Sequence, residues 1–128
     1  MAQMITKTDL KSKKNVLLAP HLAFEIGVQV SNTGVSTVNG KKIIPAGTPI
    51  GGTTSVLTRR DTVLSVTNSS SNGTNAQGIL RDDLDVTNGN ANGTMIVSGV
   101  IDESKCPTID TTVKTTLSHI IFVNGGKY

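Results

Sequence analysis

Five Asn-Gly pairs, beginning at positions 39, 72, 88, 92 and 124, punctuate a chain of 128 residues. Asn-Gly readily adopts the positive φ angles of tight two-residue turns, so a chain this rich in the pair reverses direction often and builds short elements. The aromatic residues are Phe24, Phe122 and Tyr128, with no Trp, which leaves Val, Ile and Leu to fill the core. β-branched side chains fit a pleated surface better than a helix, and the abundant Thr points the same way. The composition therefore predicts short strands and many turns in a single domain.

Along the chain, the pattern divides at about residue 20. Residues 1–20 carry Lys7, Lys11, Lys13 and Lys14 against Asp9, while the remaining basic and acidic side chains balance, so the net charge of +3 resides in this segment. Residues 1–14 lack sustained periodicity and are expected to be disordered or weakly ordered, within a flexible basic arm that spans residues 1–20. Residues 15–20 form a short extended candidate that Pro20 ends. Phe24, Ile26, Val28 and Val30 alternate with Glu25, Gly27 and Gln29, the period of a half-buried strand. Asn32-Thr33-Gly34 reads as a turn, and residues 35–38 and 41–44 flank Asn39-Gly40 as a second hairpin. Prolines 45 and 49 with Gly47, Gly51 and Gly52 argue for a rigid connector over 45–52 and against an interior strand. Residues 62–66 suggest another strand, and the polar stretch 67–75 an exposed, protease-sensitive loop. From 76 to 102, two apolar β-branched runs flank a tip holding Asn88-Gly89 and Asn92-Gly93, the pattern of a further hairpin. Ile109, Val113 and Leu117 share one helical face after Pro107, with Thr108 available as N-cap, and residues 120–123 form an apolar closing strand.

The segments 44–52 (IPAGTPIGG), 77–102 (QGILRDDLDVTNGNANGTMIVSGVID) and 118–123 (SHIIFV) resemble, in that order, the lambda-type head decoration proteins of tailed bacteriophages, in particular those of phages of Gram-positive bacteria. The resemblance runs over residues 40–123 and is most specific from Gln77 to Asp102, where the family reads GIL…DVDVTNG.ANGT and this chain has Leu84 at the first Val of that pattern. The family's helix ends in Leu-Pro; here Leu117 precedes Ser118. The resemblance implies a small, mostly β domain, barrel- or tulip-like, over 21–128, with one short helix near the C-terminus. It also implies a homotrimer on the exterior of the virion capsid, made in the host cytoplasm, with the major capsid protein as partner. On that reading the arm binds the shell: Lys7, Lys11, Lys13 and Lys14 attract it, while Val16, Leu17 and Leu18, ended by Pro20, bury apolar area against it.

Other chemistries fit the residues less well. Asp83 and Asp85 share a strand face while Asp82 points away, and counting from Asp83 a calcium loop would need Gly at 88 and Glu at 94, where Asn and Thr stand. Surface or turn-capping roles are expected for these carboxylates, and no metal or cofactor. His21 and His119 have no Ser or Cys partner at motif spacing, and are expected to be partly buried and hydrogen-bonded. The single Cys106 reads as a small apolar residue. The arm has neither Arg nor aromatic, which argues against nucleic acid. No apolar stretch reaches the length of a membrane helix. No enzyme or small-molecule substrate is expected. The competing readings are a non-catalytic β module binding carbohydrate or another surface and, further off, a small trimeric nucleotide hydrolase using a hairpin aspartate.

Overall fold

The computed structural model describes residues 16–18 and 22–124. Among the described residues the strands are β1 (Phe24–Val30), β2 (Ile43–Ile44), β3 (Pro49–Gly51), β4 (Val63–Val66), β5 (Ala76–Leu80), β6 (Leu84–Asp85), β7 (Ala91–Asp102) and β8 (Ile120–Val123), with an α-helix, α1 (Thr111–Thr116), before the last. Five strands close into a barrel in the order β1-β4-β3-β5-β7 and back to β1. All contacts in this ring are antiparallel except β1 with β4. The chain is thus mostly β, as its composition implies.

Side-chain alternation sorts the core into two compartments. Along β7, Met95 joins Val28, Val30, Ile50, Leu64 and Leu80 inside the barrel, while its neighbour Ile96 turns outward. Along β5, Leu80 points in and Ile79 out. The outward residues meet Ile109, Val113 and Leu117 of the α1 region, Val16, Leu17, Ile101 and Ile120 in a second apolar layer. Period-two alternation makes this possible, since one strand can feed both compartments. The spacing of Ile109, Val113 and Leu117 is the helical face read from sequence, and all three are buried. The cap is Asp110, whose carboxylate accepts from the Thr112 amide, in place of the expected Thr108.

β7, with twelve residues, is the spine. Its first part serves the barrel; beyond it, residues 99–102 project past the closed ring. The change comes at a bulge: Phe24 pairs with Ser98 but Glu25 with Ile96, leaving Val97 as an extra residue. Gly99 follows at φ 150°, where a Cβ would lie 3.3 Å from that of Ala23. On one edge of the projecting part β8 runs parallel, from Gly99 opposite Ile120 to Asp102 opposite Val123. On the other edge Leu17 pairs with Ile101, the Leu18 amide donates to the Val100 carbonyl at 3.1 Å and the Asp102 amide to the Val16 carbonyl at 2.8 Å.

Several expectations are corrected. Val16 and Leu17 belong to the body, not to an arm, because the projecting edge of β7 needs a partner and the second apolar layer needs their side chains; they are 0% and 6% exposed. Burial of each contributes about 1.5–3 kcal/mol. The body therefore includes Val16 and Leu17, which the expected boundary at 21 left out. Residues 49–51 are an interior strand despite Pro and Gly: Pro49 stands first, where a missing amide is tolerated, and Ile50 is fully buried in the barrel. Asn92-Gly93 is no turn but lies inside β7, opposite Gln29 and Val28. Asn39-Gly40 does turn, with φ of 53° and 78°, yet its hairpin is a single Val38–Lys41 bridge, and β2 pairs instead with β6. The stretch 67–75 is tied down: Thr67 and Gly73 are buried, and Asn68 donates to the Thr108 carbonyl and accepts from the Asp110 amide. His119 is exposed. Lys7, Lys11, Lys13, Lys14, Pro20 and His21 lie outside the described residues.

Candidate docking surface

The projecting strip carries the clearest surface feature of the molecule. Leu17 and Ile101 face the core, so alternation turns their neighbours Leu18 and Val100 to the opposite side, and Ile121, the register partner of Val100, lies on that side too. Leu18, Val100 and Ile121 thus form an apolar row across three neighbouring strands. Leu18 is 44% and Ile121 60% exposed. Leu22 and Phe24, at the start of β1, are exposed as well, Phe24 pairing with Ser98 just before the row. Three large exposed apolar side chains, Leu18, Ile121 and Phe24, on or beside one small strip differ from the scattered single exposures normal for a protein surface.

The strip also fixes where the chain enters and leaves. Val16 lies beside Asp102, and Asp102 beside Val123, so residues 1–15 and the residues after 124 join the body at the same end of the strip. Asp102, 2% exposed, holds that end by accepting from the amide and hydroxyl of Ser104. Lys114 forms an ion pair with Glu103 and lies 6.0 Å from the Phe122 ring centroid, bracing the helix against β8.

The aspartates singled out from sequence act within turns. Asp83 Oδ1 accepts from the Ala46 amide at 2.7 Å, tying the β5–β6 connection to the β2–β3 loop. Asp85 Oδ1 accepts from the Thr87 amide and hydroxyl at 2.9 and 2.5 Å. The Thr87 hydroxyl, then its amide, hold the Asp85 carboxyl below its ordinary value. Asp82 lies 3.8 Å from Arg81, whose guanidinium also pairs with Glu25 at 2.9 Å. Among the described residues, no cluster of His, Cys, Asp and Glu has the grouping of a metal site. A cavity of about 190 Å³ is lined by Ser55, Ser118 and His119 together with Gln77. The Gln77 amide is committed to the Val56 amide and the Gly52 and Thr54 carbonyls, and among the described residues no hydrogen bond joins either serine hydroxyl to the imidazole.

Of the three apolar residues assigned from sequence to an arm, only Leu18 is presented outward, while Phe24, read as part of a half-buried strand, and Ile121, read as part of an apolar closing strand, are exposed. One signal was present: residues 120–123 are apolar at every position, so whichever face packs on the core, the other still presents apolar side chains. No protein-family model and no curated protein matches the chain.

Proposed function

We propose that this chain is a structural virion protein that binds the exterior of the assembled phage capsid as a trimer and stabilises it. The observation that carries this reading is the apolar row of Leu18, Val100 and Ile121, placed where the lysine-rich segment joins the body. The ordered resemblance of residues 40–123 to phage decoration proteins supports it, as does the barrel expected from that resemblance.

The chemistry divides between two parts of one surface. Lys7, Lys11, Lys13 and Lys14 draw the protein to an acidic face of the capsid protein, an attraction that salt screens over about 8 Å at physiological ionic strength. The apolar row and Phe24 then bury against the shell and hold the complex. Three such surfaces on one trimer act through effective concentration, so a modest single contact becomes stable attachment. A ligand that binds only the assembled shell stabilises that shell by mass action. The test is electron microscopy of virions with and without the protein, paired with native mass spectrometry of the purified chain and of protein eluted from heads. Regular protrusions that vanish on its removal, a loss of heat resistance, and a trimeric mass are expected. Virions unchanged in image and stability, or a monomer both free and on the head, would overturn the reading.

A further inference from the structure

Four of the five Asn-Gly pairs lie wholly within the described residues, and the fold treats them very differently. Asn39 and Gly40 are exposed at the tip of a two-residue turn. Among the described residues, neither the Asn39 side chain nor the Gly40 amide has a hydrogen-bond partner, and a Cβ built on Gly40 would meet nothing within 4 Å. Two hydrogen bonds pin the turn, from the Val38 amide to the Lys41 carbonyl at 2.8 Å and from the Lys41 amide to the Val38 carbonyl at 3.0 Å. Val38, Asn39, Gly40 and Lys41 are all exposed, so opening this turn gives up little buried contact.

The other three are restrained. Asn72 uses both ends of its amide, accepting from the Ser69 hydroxyl at 2.7 Å and donating to the Val66 carbonyl at 3.4 Å. The following Gly73 amide donates to the Ser69 carbonyl at 2.7 Å, and Gly73 is buried against Thr112 and Val113. Asn92 and Gly93 sit within β7, paired with β1 and backed by Leu80 and Leu84. Asn88 is exposed, but the Gly89 amide donates to the carbonyl of Val86, a residue that is itself fully buried.

We propose that Asn39 is a site of spontaneous backbone-assisted deamidation, and that it is the fastest of these four. In the opened turn the Gly40 amide nitrogen, losing its proton to solvent base, attacks Asn39 Cγ. The Cγ–Nδ2 bond breaks, ammonia departs, and a five-membered imide forms. Water then adds to either imide carbonyl and cleaves its C–N bond, giving aspartate or isoaspartate. The net change consumes one water and releases one ammonia, with no oxidation or reduction. The product carboxylate is ionised at neutral pH and faces the local positive charge of Lys41 and Lys42. Isoaspartate also inserts a carbon into the backbone, which the two-residue span between Val38 and Lys41 does not accommodate. Both products alter the surface that carries the exposed Val38 and Ile43, independently of any role on a capsid.

The experiment follows folded, full-length protein held at mildly alkaline pH, with digestion and mass-spectrometric peptide mapping over time and a parallel sample in denaturant. In the folded protein Asn39 is expected to convert first, about tenfold or more ahead of Asn72 and Asn92, because the latter react only after larger local unfolding. In denaturant the four rates are expected to converge. Earlier conversion of Asn72, Asn88 or Asn92, equal rates in the folded protein, or an Asn39 that stays an amide while the denatured chain reacts, would overturn the proposal.

Discussion

At Gly51 two backbones meet more closely than any side chain permits. A Cβ there would lie 2.0 Å from the Asn75 carbonyl oxygen and 2.8 Å from Ala76 Cα, both main-chain atoms that cannot swing aside. The glycine that argued against a strand is therefore what lets β3 pair with β5 at its bulge. Gly27, in β1, has open space above it. Gly51→Ala is expected to destabilise the fold by about 3 kcal/mol or more, through overpacking against fixed backbone, and Gly27→Ala by less than about 0.5 kcal/mol. Chemical denaturation of the two variants makes the comparison. Asp85 gives a second residue-scale outcome. Its carboxyl is held below the ordinary 3.8 by the Thr87 hydroxyl and amide, so the turn's stabilising contribution is present above that value and is lost as pH falls through the lower value of the folded chain. Thr87→Val, which deletes the first of these donors, is expected to move the Asp85 titration in an NMR pH series back toward 3.8; an unchanged titration would mean that the hydroxyl contributes nothing.

Elements were legible where the signal was local. The alternation from Phe24 to Val30, the helical face of Ile109, Val113 and Leu117, and the turn at Asn39-Gly40 follow from periods and propensities within a few residues. What the sequence hid was set by partners far along the chain. Asn92-Gly93 has a turn's chemistry, yet Gly93 lies in a strand because Leu80 and Leu84 fill the space over it and Val28 pairs with it. The segment 16–18 looked like part of an arm because its reason for order, the projecting edge of β7, lies more than eighty residues away. Its role can be separated by truncation. Removing residues 2–14 is expected to leave thermal stability unchanged, whereas removing 2–18 strips Val16 and Leu17 from the second apolar layer and is expected to cost about 3–5 kcal/mol. Equal melting temperatures for the two truncations would show that the 16–18 pairing adds nothing to the body.

At the scale of the whole molecule, barrel closure rests on the one parallel contact in the ring, Gln29 with Val63 and Val30 with Leu64, a pairing that no short-range pattern announces. Closure removes the free edges of five strands, and the projecting part of β7, paired with β8 on one side and residues 16–18 on the other, carries the apolar row outside the ring. The exposed apolar row was legible in part: Leu18 stood out in the sequence as an apolar contact residue, but Phe24 and Ile121 emerge as outward only with the Val97 bulge and the Val100–Ile121 register. Because Leu17 is core, a substitution there would report on folding; Leu18 and Ile121, being exposed, test the proposed docking. The most direct measurement is co-sedimentation of undecorated heads with wild-type protein, the 2–14 truncation, Leu18→Asp, Ile121→Asp and single lysine-to-alanine variants, each first shown to melt like wild type. The truncation, Leu18→Asp and Ile121→Asp are expected to lose most of their occupancy and the single lysine variants little, with the residual binding of the truncation insensitive to salt. Heads decorated as fully by the truncation and both aspartate variants as by the intact chain would contradict the claim that this strip holds the protein to the shell.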